Sequence, residues 1–323
     1  MRSIIYTVAF SLAAFPGFAD PLPSWAASEN KTAIIDFVES VTDPASPDYV
    51  TPDARIATFD NDGTLWSEQP LYFQFLFSFD QLRMMGAADP SILTSDTLKA
   101  AAKGDVETVV AGGKDALVEV LVAAHSGMSA ETYRSSVSEW LTSATHPETN
   151  LPYDQMLYQP MLELLRYLRD EGFETYIVSG GGIDFMRVFA ERVYGIPPEN
   201  IVGSSFQASY QVIDGVPTLM KEGELFFYDD KEGKPVGIYR HIGRRPILAA
   251  GNSDGDFQML EYTTAGDGAR LGILVRHTDS DREFAYDREG HIGVLDRGLD
   301  EGPERGWAIV DMARDWSQVW VSQ

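Results

Sequence analysis

The 323-residue sequence contains no cysteine and few basic residues. The absence of cysteine excludes disulfides, thiolate metal ligands and a cysteine nucleophile. Lysine and arginine number 25 against 49 aspartates and glutamates, which gives a formal net charge of -24 at pH 7. Such an acidic chain argues against nucleic acid and anionic membranes as partners, because both bind basic surfaces. Any anionic substrate must therefore meet a local positive site.

Long hydrophobic runs are also missing, except at the amino terminus. Residues 1–19, "MRSIIYTVAFSLAAFPGFA", place Arg2 before an apolar run and end in Gly-Phe-Ala. This layout predicts a secretory signal peptide cleaved after Ala19. A membrane anchor is the alternative, but the run is too short to span a bilayer. We expect no membrane association after cleavage, and an exported chain without cysteine is typical of a bacterial periplasm or medium.

The remaining sequence alternates between predicted strands and helices over residues 20–67 and 160–323. Repeated β-α units predict an α/β fold, with a Rossmann-like, mostly parallel sheet that has helices on both faces. Residues 68–159 show helical patterns and no convincing strand, so we predict an all-helical cap inserted into the α/β core.

Polar clusters follow several predicted strands, as expected for one site at the carboxyl edge of a parallel sheet. They are Asp60-Asn61-Asp62-Gly63-Thr64, Ser179-Gly180-Gly181-Gly182 and Gly251-Asn252-Ser253-Asp254-Gly255-Asp256, with a helix starting at Lys234 between the last two.

Taken singly, these clusters have simpler interpretations. Asp62-Gly63 suits a hairpin turn, Ser179 suits a turn, and Lys234 could be a surface lysine. A calcium loop around Asp60 would need acids where Thr58 and Gln69 stand. The order and spacing of all the clusters favour a catalytic site.

In this order the residues resemble the motifs of the haloacid dehalogenase superfamily, most closely its phosphatase branch around phosphoserine phosphatase. The resemblance covers Arg55 to Thr64 and about Tyr158 to His277. The first motif is Asp60 to Thr64, and the second is the strand that ends in Ser179-Gly180-Gly181. Lys234 fits the third motif, with Lys231 as a rival. In the fourth motif the family usually has Gly-Asp-x-x-x-Asp, whereas this chain has Asn252 in place of the first aspartate.

The resemblance implies a role for each matched residue. Asp60 is the nucleophile that forms an aspartyl-phosphate, and Asp62 is the general acid and base. Phosphoryl oxygens and substrate contact Ser179, Lys234, Thr64, Gly180 and Gly181. The implied Mg²⁺ site consists of Asp60, Asp62 through its carbonyl, Asn252 and Asp256, with Asp254 as a further contributor.

The sequence says less about which residues select the substrate. Glu68 and Gln69 follow the first motif, and Gln69 occupies the position at which phosphoserine phosphatase has an acid for the substrate amine. We predict that both residues contact the substrate, but the sequence does not support an amino-acid substrate. The run "YFQFLFSF" from Tyr72 to Phe79 could line an apolar pocket or pack in a core. No role follows for the five histidines, His125, His146, His241, His277 and His291.

The sequence thus predicts an exported, Mg²⁺-dependent phosphomonoesterase that acts on a small phosphate ester. A carbon-halogen hydrolase on the same scaffold is one alternative, although it would not need Asp62 as acid and base. A non-catalytic periplasmic binding protein is another, and Asn252 is the feature that favours it. The physiological ester and the oligomeric state stay open.

Overall fold

The computed structural model describes residues 20–321, so the predicted signal peptide at residues 1–19 lies outside the described residues. The helices are α1 (Glu29–Thr42), α2 (Phe73–Ala88), α3 (Asp96–Lys103), α4 (Val106–Ala111), α5 (Gly113–His125), α6 (Ala130–Ser143), α7 (Gln159–Asp170), α8 (Ile183–Met186), α9 (Ala190–Tyr194), α10 (Gly233–Gly237), α11 (Phe257–Thr264), α12 (Arg297–Glu301) and α13 (Met312–Asp315). The strands are β1 (Ile56–Phe59), β2 (Glu174–Gly182), β3 (Ile201–Ile213), β4 (Val216–Phe227), β5 (Leu248–Gly251), β6 (Leu271–Arg276) and β7 (Ala308–Asp311). Within the described range, no helix combines the length and apolar character needed to cross a membrane.

The strands of the described chain form one sheet with the order β4-β3-β2-β1-β5-β6-β7. All neighbouring pairs are parallel except β3 and β4, which form an antiparallel hairpin. The predicted mostly parallel α/β fold is therefore confirmed. Strand β1 lies between β2 and β5, so the carboxyl ends of these three strands meet at one edge of the sheet.

Helices cover both faces of the sheet. Side chains that follow one another in a strand enter different cores, since Ile177 packs in the cluster that contains α1 and α7, and Val178 in the cluster that contains α11. Leu248 and Ala249 divide in the same way. Near-continuous apolar runs are therefore required in the central strands, as is typical of parallel sheets that are buried on both faces.

Helices α2 to α6 occupy the segment for which the sequence predicted helix, between the first motif and α7. Apart from the main core, this helical block (residues 68–159) supplies most of a second hydrophobic cluster, which includes Leu82, Leu98, Val109 and Val120. The block also contacts the β3–β4 hairpin, because Lys221 exchanges backbone hydrogen bonds of 2.9 Å with Gly127 and Met128.

The structure departs from the sequence pattern in three places. The strand predicted at Ile201 and the first strand of the hairpin predicted after it form one long strand, β3. The hairpin turns at Asp214 and Gly215, which both have positive φ, as a two-residue turn requires. The single helix predicted after β2 is divided into α8 and α9, while its buried residues keep helical spacing, so the pattern could not reveal the break. Strand β7 was not predicted.

Candidate active site

Lys234 lies at the centre of the polar clusters. Its Nζ donates to Asp60 Oδ1 at 2.7 Å, to Asp256 Oδ1 at 2.6 Å and to the Val178 carbonyl at 2.9 Å. The side chain is buried, which alone would lower its pKa, but the two carboxylates outweigh burial and the pKa rises. The ammonium is therefore charged and ties α10 to β1, β2 and the loop after β5. Of the two candidate lysines, Lys234 is the one that reaches the carboxylates.

Both carboxylate oxygens of Asp256 accept hydrogen bonds from protein donors. Its Oδ1 accepts from Lys234, and its Oδ2 accepts from the backbone N–H groups of Asn252 and Ser253, each at 3.0 Å. We predicted Asp256 among the metal residues, but this geometry gives it a different task. It orders the loop after β5 and holds Lys234 towards Asp60.

Asp254, predicted as a further metal contributor, faces away from the other acids. Its carboxylate accepts from the backbone N–H groups of Asp296, Arg297 and Gly298 at 3.2, 2.9 and 2.8 Å, so it caps the start of α12. These bonds satisfy the first N–H groups of a helix. Asp254 thus stabilises the start of α12, and these contacts supply no support for the metal contribution that we predicted for it.

Asp62 follows Asp60 on the turn made by the first motif. Its Oδ1 accepts from the Trp66 indole N–H at 2.7 Å. Burial raises the pKa of Asp62 to about 6, against the lowering effect of Trp66. A carboxyl with such a pKa can both donate and accept a proton near neutral pH.

Gly63 is required at this turn for two reasons. Its φ is +73°, and a Cβ there would lie 2.1 Å from Asn252 Nδ2 and 2.5 Å from Glu68 Oε1. Only glycine accepts this conformation without strain and leaves room for the two side chains. The first and fourth motifs therefore meet across the Gly63 backbone.

The end of β2 forms a concave backbone surface. Ser179 is buried, and its Oγ accepts from the Gly181 N–H at 3.1 Å. A Cβ on Gly181 would lie 3.4 Å from Asp62 Oδ2, so the strand end comes close to the proposed acid. Gln74, which the sequence analysis missed, reaches from α2 and accepts from the Gly182 N–H at 2.7 Å. This bond joins the helical block to the strand end.

The predicted substrate contacts divide into two groups. Ser179, Gly180, Gly181, Lys234 and Glu68 line one cavity with Asp60. Thr64 is fully buried and donates to Asn252 Oδ1 at 3.1 Å, and the Gln69 carbonyl bonds His146 Nε2 at 2.7 Å. Neither Thr64 nor Gln69 lines the cavity. The structure therefore gives no support to the contact with substrate that we predicted for these two residues.

The cavity has a volume of about 470 Å³. Its floor is the strand ends, and its roof is apolar side chains of the helical block, namely Tyr72, Phe75, Val110, Leu117, Val118 and Leu121. Part of the aromatic run thus lines the cavity, while Phe73 and Phe77 pack in the main core. Lys114 lies over the Tyr228 ring at 3.8 Å at the rim. The cavity fits a small molecule with an anionic end and an apolar end.

Glu68 is buried beside the first motif. Its Oε1 accepts from Asn252 Nδ2 at 2.7 Å and from the Tyr286 hydroxyl at 2.8 Å. Burial raises the pKa of Glu68 to about 8, although His277 opposes this shift. Burial and the Asp256 carboxylate likewise raise the pKa of Asp60, with Lys234 acting against them.

The donor set fits a divalent cation. Asp60, Asp62, Glu68 and Asp256 are four carboxylates, and Lys234 is the cation that contacts two of them. Excess buried negative charge is costly unless it is neutralised. Among the described residues no three His, Cys, Asp or Glu side chains converge as a metal cluster, so amide or backbone oxygens must complete any site. The Asp62 carbonyl accepts no hydrogen bond from the described residues and is free for this purpose.

A buried His277–Glu283 pair supports the first motif, and the sequence analysis gave His277 no role. His277 Nε2 donates to the Gly63 carbonyl at 2.8 Å, and its Nδ1 lies 3.1 Å from Glu283 Oε2. The other oxygen, Glu283 Oε1, accepts from the Ser67 and Tyr158 hydroxyls at 2.9 and 2.8 Å. No spacing rule links residue 277 to Gly63, so only the fold could reveal this pair.

The contacts of His277 fix its charge. Nε2 must carry a proton to donate to a carbonyl, and Nδ1 must carry one to face a carboxylate. Burial alone would lower the pKa of His277, but Glu283 outweighs it and the pKa is raised. The imidazolium therefore pairs with Glu283 and holds the Gly63 carbonyl in place.

Comparison with known proteins agrees with this geometry. The family model for haloacid dehalogenase-like hydrolases matches residues 57–261. The chain therefore belongs to this family, as its motifs indicated. No curated protein matches the sequence.

Solved structures resemble this chain at low sequence identity, and the one with a TM-score above 0.5 shares its fold. A conserved, functionally unknown protein from Anaerococcus prevotii DSM 20548 is 15% identical, with a TM-score of 0.55, and the match covers 91% of this chain and 94% of that one. A protein of unknown function from Bordetella pertussis Tohama I is 17% identical, with a TM-score of 0.49, over 80% of this chain and 98% of that one. A phosphoserine phosphohydrolase-like protein from Francisella tularensis subsp. tularensis SCHU S4 is 20% identical, with a TM-score of 0.37, over 68% and 87%.

Breaking the His277–Glu283 pair should destabilise the protein. We expect His277→Gln and Glu283→Gln each to lower the free energy of unfolding by about 3 kcal/mol or more, because each leaves a buried charge without its partner. The double variant should lose less than the sum of the two single losses. Urea unfolding of the three variants measures these terms, and additive losses would contradict the pairing.

The same pair predicts a pH dependence of stability. Because the native pKa of His277 is raised, its contribution is fully present below the unfolded histidine pKa of about 6.5. The contribution is then lost as the pH rises through the higher native pKa. The difference in unfolding free energy between wild type and His277→Gln should therefore shrink in alkaline buffer, and a constant difference would rule the charged form out.

Proposed function

We propose that the protein is an exported, Mg²⁺-dependent phosphomonoesterase that hydrolyses a small phosphate ester through an aspartyl-phosphate on Asp60. The observation that carries this proposal is the bond from Lys234 Nζ to Asp60 Oδ1 at the floor of a cavity that Ser179, Gly180 and Gly181 also line. Membership of a hydrolase family and the nearby Asp62 carboxyl support it.

In the first step Asp60 acts as the nucleophile. A carboxylate oxygen of Asp60 attacks phosphorus, the bond from phosphorus to the ester oxygen breaks, and Asp62 gives its proton to the leaving alcohol oxygen. The products are the free alcohol and an acyl phosphate on Asp60. Lys234 keeps its proton and balances the charge of the carboxylate and the phosphoryl group.

In the second step water hydrolyses the acyl phosphate on Asp60. Asp62, now ionised, takes a proton from a water molecule whose oxygen attacks phosphorus, and the bond from phosphorus to Asp60 breaks. Inorganic phosphate leaves, Asp60 returns to a carboxylate, and Asp62 is again protonated. One group with a pKa of about 6 therefore serves both steps.

The acidic floor of the cavity needs a cation before an anionic phosphate can approach it. Asp60 and the Asp62 carbonyl, with oxygen ligands from the fourth-motif side, would hold Mg²⁺, which prefers such hard donors. When bound, the ion offsets the negative charge of nucleophile and phosphate. The apolar roof supports an ester whose alcohol portion is small and largely apolar.

One feature argues against each alternative function, and the position of Asp62 argues against a carbon-halogen hydrolase. That reaction needs no proton for the leaving group, yet Trp66 holds Asp62 at the end of β2 near Gly181. The bond between Lys234 and the proposed nucleophile also weighs against a non-catalytic binding protein.

Replacing the nucleophile should abolish turnover. We expect Asp60→Asn to lower kcat for an aryl phosphate by on the order of 10⁴-fold or more, since members of a catalytic unit fail together. Asp96→Asn, which changes a fully exposed carboxylate, is the matched control and should keep wild-type activity. Mass spectrometry of acid-quenched wild type should find phosphate on the peptide that contains Asp60. Full activity of the Asp60→Asn variant would exclude Asp60 as the nucleophile.

Replacing the proton donor should depend on the leaving group. We expect Asp62→Asn to lower kcat/KM for an alkyl phosphate by about 10²–10⁴-fold. The loss should be much smaller for a nitrophenyl phosphate, whose leaving group departs without a proton. Steady-state kinetics on both esters measure the contrast, and equal losses would show that Asp62 is not the acid of the first step.

Export makes a separate prediction. When the full chain is expressed in a bacterium with a periplasm, the periplasmic fraction should contain a protein that begins at Asp20. A chain without residues 1–19 is the control and should stay in the cytoplasm. Amino-terminal sequencing of both fractions measures the outcome, and an unprocessed cytoplasmic chain would contradict export.

A further inference from the structure

The neutral Asn252 stands where the family motif usually has a carboxylate, and its contacts show what surrounds that position. Its Oδ1 accepts from the Thr64 hydroxyl at 3.1 Å, and its Nδ2 donates to Glu68 Oε1 at 2.7 Å. The amide is 1% exposed and touches the first motif on both sides. Asn252 therefore has no carboxylate itself, but it is hydrogen-bonded to one, that of Glu68.

Glu68 is held so that one oxygen stays available. Oε1 takes the hydrogen bonds from Asn252 and Tyr286, whereas Oε2 accepts none from residues 20–321. The side chain is 1% exposed and lines the cavity together with Asp60. A carboxylate that is almost wholly buried and has one oxygen without a protein donor is stabilised by a cation or a proton.

The backbone around Glu68 is shaped to admit it. A Cβ on Gly63 would lie 2.5 Å from Oε1, and a Cβ on Gly293 would lie 2.1 Å from it. Both glycines have positive φ, at +73° and +63°. Two loops that are distant in sequence thus leave space for this one side chain, which is a built position and not a chance approach.

We propose that Glu68 supplies the carboxylate that the fourth motif lacks, and that it binds the divalent cation together with Asp60 and the Asp62 carbonyl. Asn252 then orients Glu68 through its amide N–H. This inference rests on the proposed metal dependence, and it moves the second acidic ligand from the loop after β5 to the segment after the first motif.

A competing role for Glu68 is to bind a cationic group of the substrate. That role would leave the affinity for metal unchanged and alter KM alone. A purely structural role, as an acceptor for Asn252 and Tyr286, would also be kept by glutamine. Neither alternative role predicts that Glu68→Gln weakens Mg²⁺ binding, so the affinity for Mg²⁺, measured without substrate, separates them from metal binding.

The test is isothermal titration calorimetry of the metal-free protein with Mg²⁺. We expect Glu68→Gln to weaken Mg²⁺ binding by at least about 10-fold, because a ligand is lost while the hydrogen bonds are kept. Adding Asn252→Asp to this variant should bring the affinity back near the wild-type value. Glu289→Gln, an exposed change of the same kind in the loop that contains Tyr286, is the control and should bind as wild type does.

A second variant covers the case in which Glu68→Gln does not fold. Asn252→Asp alone should bind Mg²⁺ more tightly, because it adds a carboxylate beside Glu68, and Mg²⁺ should raise its Tm more than that of wild type. Unchanged affinity in Glu68→Gln, failure of the double variant to recover, or an unchanged Tm shift in Asn252→Asp would each overturn the inference. Wild type that binds no divalent cation would overturn the proposed metal dependence as well, so the two failures are distinguishable.

Discussion

The buried ammonium of Lys234 is the interaction on which the site depends. Its three acceptors come from three strands or strand ends, since Asp60 follows β1, Val178 lies in β2 and Asp256 follows β5. Removing an ammonium and two carboxylates from water is costly, and such a group need not stabilise the fold in net terms. What it provides is geometry, because each of its three N–H donors has an acceptor and the Asp60 carboxylate is held in one place.

The arrangement of charge follows from this constraint. One lysine cannot neutralise four ionised carboxylates, so the strand ends need either protons, as the raised pKa values of Asp60, Asp62 and Glu68 indicate, or a second cation. The His277–Glu283 pair nearby is balanced within itself. The protein thus separates a neutral supporting pair from an acidic floor. An acidic floor repels phosphate until a cation is present, and the affinity for cation and the affinity for phosphate are then coupled through the same residues.

Much of the fold and the catalytic floor could be predicted from the sequence. Apolar strands that end in polar clusters predicted both the parallel sheet and the meeting of Asp60, Ser179 and Lys234, because adjacent parallel strands end at one edge. The division of α8 from α9 could not be predicted, since the apolar spacing continues across it. The capping role of Asp254 could not be predicted, because an acid that caps a helix and an acid that binds a metal look alike in a sequence.

The parts of the site that the sequence did not reveal share a physical cause. Gln74, His277 and Tyr286 belong to no motif. Each makes a hydrogen bond at the site, Gln74 to the end of β2, His277 to the first motif and Tyr286 to Glu68, which follows the first motif. Such bonds depend on how the helical block and the loop after β6 pack against the sheet, and a local pattern holds no information about that packing.

The bond from Gln74 to the Gly182 N–H has a mechanical consequence. Gln74 belongs to α2, whose neighbours Tyr72 and Phe75 line the roof of the cavity. Any outward movement of α2 that opens the roof must break this bond, and the end of β2, which carries Ser179 and Gly181, then loses a partner. The shape of the phosphate end of the cavity and the position of its apolar roof are therefore linked. A ligand that packs against the roof would therefore also stabilise the backbone at the opposite end of the cavity, through the bond between Gln74 and Gly182.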